Sequence, residues 1–195
     1  QAEEIALSAV TIGYEGVTIV VGQEKSDDLY DDGEAGDIGI SGAFGGLNFA
    51  AVLDTDSGKT SNSFSLSGSA ANMTWSAVST DTSANGAAAK LTVGYTVSDA
   101  LSLSFKHDNK GTKAAVNTVG ATYTMGALTL GLKGADNDTT DFSLGYTAGA
   151  LSVAYASDES DNWEFDAAYD LGGGASAFAS MDHSDYTAVG LSFAF

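Results

Sequence analysis

The 195-residue chain contains no cysteine and no proline. The absence of cysteine excludes disulfide bonds and metal sites built on thiolates. No run of about 18 apolar residues occurs, so the sequence predicts no transmembrane helix. The chain does not open on a basic stretch followed by an apolar run, so no signal peptide is recognised, as is also expected of a mature exported protein.

Positive charge is scarce. The chain has 7 basic residues, all of them lysine, against 26 acidic residues, and its formal net charge is −19. This balance argues against binding to nucleic acid phosphates and to anionic lipid head groups. Charged residues still make up only 17% of the chain. Most of the remainder is Gly, Ala, Ser, Thr and aliphatic residues, which is unusual for a soluble domain of this size.

Apolar and polar residues alternate with a period of two along much of the chain. Leu128, Leu130 and Leu132, for example, are separated by Thr129 and Gly131. Because successive side chains of a strand point to opposite faces, such a segment has one apolar face and one small, polar face. The same pattern recurs at Phe64–Leu66, Leu91–Val97, Leu101–Phe105 and Leu151–Tyr155.

The segments between these strands are of two kinds, which alternate. Short, nearly uncharged turns rich in Gly and Asn supply the positive φ that tight hairpins need. They lie at 15–16, 45–46, 71–72, 98–100, 126–127, 149–150 and 172–174. Longer connections are rich in Asp, Ser, Asn and Thr, and comprise Ser26–Asp37, Asp54–Ser61, Thr80–Gly86, Asp108–Ala114, Ala135–Thr139 and Ser157–Asn162.

Repeated hairpins of this kind predict about 15 strands, from Ile5–Tyr14 to Tyr186–Phe195. Strands of about 9 to 11 residues are long enough to cross a bilayer when tilted. Short turns at one end and long loops at the other are typical of an outer-membrane barrel. We therefore expect an all-β, antiparallel transmembrane β-barrel that forms one domain over residues 1–195. A soluble sandwich also alternates, but its outward face normally carries many charges.

The carboxyl end carries a more specific pattern. The stretch YDLGGGAS, Tyr169–Ser176, is followed by a strand, a short charged loop and a final alternating strand that ends on Phe195. This pattern resembles the carboxyl end of Gram-negative general-diffusion porins, most closely those of the alphaproteobacterial type. The close resemblance covers about the last 35 residues, and the hairpin pattern extends it to the whole chain.

The resemblance implies a bacterial outer-membrane location and passive diffusion of small hydrophilic solutes, without catalysis and without a required cofactor. It also implies a homotrimer of 16-stranded barrels in contact with membrane lipid and lipopolysaccharide. In that family the terminal Phe belongs to the signal read by the barrel-assembly machinery, a role that falls on Phe195.

Two features depart from the family. Its long third loop folds inward and places acidic residues opposite arginines, whereas Ser26–Asp37, the longest loop here, is short for that role and the chain has no arginine. Strand parity also places the start of the chain on the outer side. We therefore expect the carboxyl-terminal part of a longer porin that lacks its N-terminal strand or strands. The alternative is a parallel closure between first and last strands.

The alternation along each strand places several charged side chains on the polar face. Charge facing the lipid midplane costs roughly 2 to 4 kcal/mol, so these side chains are expected to face the pore. With a net charge of −19, we predict a mild preference for cations. The predicted pore-lining charges are Lys90, Lys106, Lys133, Glu164, Asp166 and Asp170.

Closely spaced carboxylates in the outer loops suggest calcium, which takes six to eight oxygen ligands. The candidate ligands are Asp54, Asp56, Asp136 and Asp138, and the alternative is that these loops are simply solvated. A second reading of the whole chain is an acidic secreted β-protein that binds calcium or self-assembles through strand edges. A third is a barrel hydrolase around His183, Ser184 and Asp185, which no motif supports.

Overall fold

A computed structural model of the chain describes residues 8–30, 35–56, 61–82, 86–109, 111 and 113–194. Within these ranges the backbone forms strands, turns and irregular segments, and none of it is helical. No helix in the described part of the chain could therefore cross a membrane. The strands are β1 Val10–Tyr14, β2 Val17–Asp27, β3 Ala35–Phe44, β4 Leu47–Leu53, β5 Ser61–Ala70, β6 Met73–Thr82, β7 Gly86–Thr96, β8 Leu101–Asp108, β9 Val116–Met125, β10 Leu128–Ala135, β11 Thr140–Ala148, β12 Leu151–Asp158, β13 Trp163–Gly172, β14 Ala175–Asp182 and β15 Thr187–Phe193.

The fifteen strands follow one another in a single sheet in the order of the sequence. The all-β fold with about 15 antiparallel strands is therefore confirmed. Strand lengths range from 5 residues in β1 to 11 residues in β2, so some strands are shorter than expected. The predicted first strand begins at Ile5, and residues 1–7 lie outside the described part, as does Phe195.

The chain divides into two compact units. Unit 1 comprises residues 1–94 and 106–116, and unit 2 comprises residues 95–105 and 117–195. Each unit is a run of antiparallel hairpins. The expectation of one barrel domain over the whole chain stays a prediction.

Register gives unit 1 two chemically different faces. Residues directly opposite each other on neighbouring strands share a face, so successive pairing partners form one row of side chains. One row runs through Ile12, Ile19, Ile40, Ala51 and Phe64. The row next to it, on the other face, runs through Thr18, Ser41, Ala50 and Ser65. The alternation read from the sequence is thus preserved across strands.

Unit 2 repeats the same division. Its apolar face carries the row Tyr123, Leu130, Leu144, Tyr155, Phe165 and Met181. Its polar face carries the row Thr122, Gly131, Ser143, Ala156, Glu164 and Asp182. Phe178 is an exception, because it lies on the polar face, opposite Gly190.

Burial is inverted relative to a water-soluble sheet protein. Among the described residues, thirty large hydrophobic side chains are exposed, including Tyr14 at 72% and Phe44 at 82%, whereas Val52 and Ala88 are the buried hydrophobic ones. The buried polar or charged residues are Ser26, Asp28, Asp37, Ser63, Thr80 and Asp108. In water, folding is driven by removal of apolar surface. The apolar faces therefore require a non-aqueous surrounding.

The tight turns occur where the sequence predicts them. Glu15 and Gly16 have φ of 47° and 83°, and Gly173 and Gly174 have φ of 63° and 82°. Two consecutive positive φ angles are typical of the two-residue hairpin turns whose twist matches that of the flanking strands. The turn at Gly174 is also crowded, because a Cβ there would collide with the carbonyl oxygen of Ala194.

We expect Gly174→Ala to destabilise the protein more than Gly149→Ala. Both positions have positive φ, at 82° and 58°, so alanine incurs roughly 1–2 kcal/mol at each. Only at Gly174 does a Cβ also meet backbone, since nothing lies within 4 Å at Gly149, which adds about 1–3 kcal/mol. Urea unfolding of each variant from lipid vesicles measures the difference, and equal midpoints would contradict it.

Candidate functional site

The polar face of unit 2 borders an open cavity of about 490 Å³. Lys133 on β10 lies in its lining, opposite Asp141 on β11 and Gly120 on β9. Gly120 leaves space for its neighbours, because a Cβ there would lie 2.5 Å from Ser104 Oγ and 3.4 Å from Lys133 Cγ. Glycine at this position therefore lets a long cationic side chain lie along a wall of small residues.

One positive and four negative side chains share this cavity lining. Lys133 and Glu164 belong to the predicted pore charges, and both lie on the polar face. The other three charges, Asp141, Asp158 and Asp182, also line the cavity. The lining carries four carboxylates against one lysine, so its net charge is negative.

The remaining two predicted charges of β13 lie further along the same strand. Asp166 is exposed, opposite Ala154 and Ser180, on the face that also carries Glu164. Asp170 lies next to the glycine turn, where its Oδ1 accepts a hydrogen bond of 2.8 Å from Gly172 N. Asp170 therefore helps to shape the turn, and the part of both residues in ion passage stays a prediction.

Two of the aspartates that the sequence analysis missed organise the loops. Asp158 accepts hydrogen bonds from Asn162 Nδ2 at 2.7 Å and from Ser160 N at 2.9 Å. Asp182 accepts from Ser184 Oγ at 2.6 Å and from Ser184 N at 2.8 Å. An aspartate at the end of a strand that bonds to backbone two residues on is a common way to start a turn.

The same contacts describe the region considered for a hydrolase. The hydroxyl of Ser184 donates to Asp182, and the backbone N of His183 donates to Trp163 O at 2.9 Å. A nucleophile–histidine–acid site is recognised by the geometry of its hydrogen bonds. The serine hydroxyl here belongs to a turn instead.

In unit 1, Lys90 and Lys106 contact specific partners on the polar face. Lys90 Nζ lies 4.4 Å from the centroid of the Tyr30 ring. Lys106 Nζ lies 3.5 Å from Asp108 Oδ2, and the Asp108 side chain is only 6% exposed. Both lysines are therefore held by neighbours, although the Lys106 side chain is still 43% exposed.

A group of three carboxylates also lies in unit 1. One ligand oxygen each from Asp37, Asp54 and Asp56 falls within 4.8 Å of the others. Asp37, which the sequence analysis did not single out, accepts hydrogen bonds from Glu24 N at 3.0 Å and from Thr55 N at 3.0 Å. This carboxylate therefore links β2 to the segment that follows β4.

The predicted calcium ligands are thus distributed unevenly. Asp54 and Asp56 belong to the three-carboxylate group, although Asp54 Oδ1 also accepts from Asp56 N at 2.9 Å. Both carboxylate oxygens of Asp136 accept hydrogen bonds from Asn117, at 2.9 Å from its backbone N and at 2.6 Å from its Nδ2. Asp138 lies in the following turn, with φ of 65°. Calcium binding stays a prediction for all four residues.

Comparison with known proteins identifies the fold. No family model and no curated protein matches the chain. Among solved structures, a mutant of Rh. blastica porin with five substitutions superposes with a TM-score of 0.65 and 15% identity, and one with two substitutions with 0.64 and 16%. Each match covers 96% of this chain and 88% of the porin. The resemblance to alphaproteobacterial porins is therefore confirmed at the level of the fold, which is that of a porin β-barrel.

We expect Asp37→Ala to destabilise unit 1, because Glu24 N and Thr55 N lose their acceptor. The matched control is Asp56→Ala, which removes a carboxylate from the same three-residue group but leaves those two donors paired. Urea midpoints of the refolded variants, measured by tryptophan fluorescence, report the difference. An Asp37→Ala midpoint at or above that of Asp56→Ala would contradict this structural role.

Proposed function

We propose that the chain forms a water-filled channel of the bacterial outer membrane, through which small hydrophilic solutes and ions diffuse passively. A single observation carries this proposal: one face of the sheet exposes large apolar side chains, and the other carries small polar and charged ones. A membrane-embedded β channel needs both, since its outer surface meets hydrocarbon and its inner surface meets water. The porin fold supports the same assignment.

The hydrogen bonding of the sheet supports contact with lipid. Hydrocarbon cannot satisfy backbone polar groups, so a chain in the bilayer must pair them internally. Neighbouring strands do this in each unit. Exposed aromatic side chains also cluster at strand ends, with Tyr14 and Phe44 next to tight turns and Trp163 next to a loop. Such positions suit the aromatic girdles of a membrane barrel.

The charge of the polar face favours cations. In unit 2 the cavity lining carries one lysine and four carboxylates, and the whole chain has a formal net charge of −19. Fixed carboxylates along an aqueous path raise the local concentration of cations and lower that of anions. The channel is therefore expected to conduct cations somewhat better than anions.

The proposal includes neither catalysis nor a required cofactor. Partners follow from the surroundings: membrane lipid and lipopolysaccharide around the apolar face, and the barrel-assembly machinery during insertion. We also infer a homotrimer, on the strength of the resemblance alone. The competing reading, an acidic secreted β-protein that binds calcium or self-assembles through strand edges, predicts a chain that stays dispersed without detergent.

The first test uses purified protein in planar lipid bilayers. We expect stepwise increases in conductance, because each inserted channel adds an aqueous path. Protein that remains monodisperse without detergent and produces no steps would favour the secreted alternative.

The absence of native cysteine allows single spin labels to report on each face. A label at Leu130, on the apolar row, should be accessible to oxygen dissolved in lipid. A label at Thr129, the preceding residue, should be accessible to a water-soluble nickel chelate. Reversed or equal accessibility at the two positions would contradict the assignment of the faces.

The second channel test concerns ion preference. The double substitution Asp141→Asn and Glu164→Gln removes two negative charges from the cavity lining without changing side-chain size. We expect the cation-to-anion permeability ratio to fall by about two-fold, as fixed lumen charges set selectivity. Reversal potentials in a KCl gradient measure the ratio. The control is Asp161→Asn in the β12–β13 loop, and an equal fall in the control would argue against a role for the cavity.

A further inference from the structure

The segment Asp28–Tyr30, which we call the inner strap, leaves the end of β2 and packs on the polar face of unit 1. Asp28 is 4% exposed. Its Oδ1 accepts a hydrogen bond of 2.8 Å from Tyr30 N, and its Oδ2 accepts one of 2.9 Å from Thr80 Oγ1. The inner strap is thus folded back on itself and bonded to β6.

A second wall hydroxyl holds the middle of the inner strap. Leu29 N donates to Ser63 Oγ at 3.0 Å. Ser63 on β5 lies directly opposite Thr80 on β6, and both are 5% exposed. Because buried polar groups must be paired, these two hydroxyls and the inner strap satisfy one another. The strap is therefore a built part of the polar face.

Tyr30 carries the inner strap to the far side of this face. Its hydroxyl donates a hydrogen bond to Asp108 Oδ1 at the end of β8. β8 stands six places after β2, the strand from which the inner strap leaves. At about 4.8 Å per strand, that separation is roughly 29 Å along the sheet. A three-residue segment can reach that far only because the polar face of unit 1 is concave.

Tyr30 also contacts Lys90 directly and is linked to Lys106 through Asp108. Lys90 Nζ lies over its ring at 4.4 Å and donates to its carbonyl oxygen at 3.4 Å. A lysine at this distance from an aromatic face is held by a cation–π interaction. Asp108, which receives the Tyr30 hydroxyl, pairs with Lys106 through its other oxygen at 3.5 Å.

We propose that Tyr30 is a specificity-determining residue of the channel. Its ring covers Lys90, so that this lysine presents less positive charge to passing ions, and its hydroxyl holds Asp108, which pairs with the partly exposed Lys106. Ion preference in unit 1 then depends on an uncharged side chain. This inference rests on the proposed channel function.

The experiment is a double-mutant cycle in planar bilayers, with reversal potentials measured in a KCl gradient. Tyr30→Ala changes no charge but uncovers Lys90, so the cation-to-anion permeability ratio is expected to fall by about two-fold. Lys90→Gln alone should change the ratio little, because the lysine is already covered. In the double variant the ratio should return towards the wild-type value, since the uncovered charge is gone.

Three further measurements separate this role from others. Tyr30→Phe keeps the ring over Lys90 but loses the hydroxyl. Its cation-to-anion permeability ratio should lie between those of the wild type and Tyr30→Ala. Tyr123→Ala, on the apolar face and 43% exposed in the wild type, should leave the ratio unchanged. Circular dichroism and the shift in gel mobility on heating establish that each variant is folded. Should Tyr30→Ala not fold, Tyr30→Leu, which also removes the ring, takes its place in the cycle.

The outcomes test the channel function and the role of Tyr30 separately. A wild-type chain that forms no channels overturns the proposed function. Wild-type channels with an unchanged ratio in Tyr30→Ala overturn the role of Tyr30 alone. A fall in the ratio that persists in the double variant also overturns it, because a wider path without charge uncovering would give that result.

Discussion

Cross-strand register is the constraint on which the rest of this structure depends. Backbone pairing places residues opposite one another, and a shift of one residue would exchange the two faces. Ile19 lies between Ile12 and Ile40, and Thr18, the preceding residue, lies opposite Ser41. Register shifts occur near the ends of the β2–β3 and β13–β14 pairs, and over the remaining registered pairs apolar residues share one face and polar residues the other, with Phe178 as an exception.

The polar face shows how the described part of the chain, in which Val52 and Ala88 are the buried hydrophobic residues, is stabilised. Its buried groups are mostly polar, so they depend on hydrogen bonds rather than on apolar packing. Thr80 and Ser63 are hydrogen-bonded to the inner strap, and Asp37 joins β2 to the segment after β4. Acidic residues that look like solvated loop charges in the sequence thus act as hydrogen-bond acceptors in the fold.

Most of the fold was predictable from the sequence because its determinants are local. A period of two identifies strands, and Gly or Asn between them identifies tight turns, as at Glu15–Gly16 and Gly45–Gly46. The ends of the strands were predicted less accurately. Asp158 falls in the predicted connection Ser157–Asn162, yet it ends β12, as Asp182 ends β14, and both line the cavity. Asp141 alternates with Phe142 and could have been found from strand phase alone.

The contacts of the inner strap could not be predicted in this way. Tyr30 meets Lys90 across 60 positions of sequence and Asp108 across 78. No local period links such residues, because their meeting depends on the curvature accumulated over several strands. The same limitation hid Asp37, whose carboxylate approaches Asp54 and Asp56 only after β3 and β4 have paired.

The sequential strand order has a consequence for how the chain folds. Since each strand pairs with its neighbours in sequence, every ladder closes a short loop and the entropic cost of each step is small. Such topologies have low contact order and can assemble one hairpin after another. The inner strap is the opposite case, because its partners must already be in place. It is therefore expected to dock late, after the wall that receives it has formed.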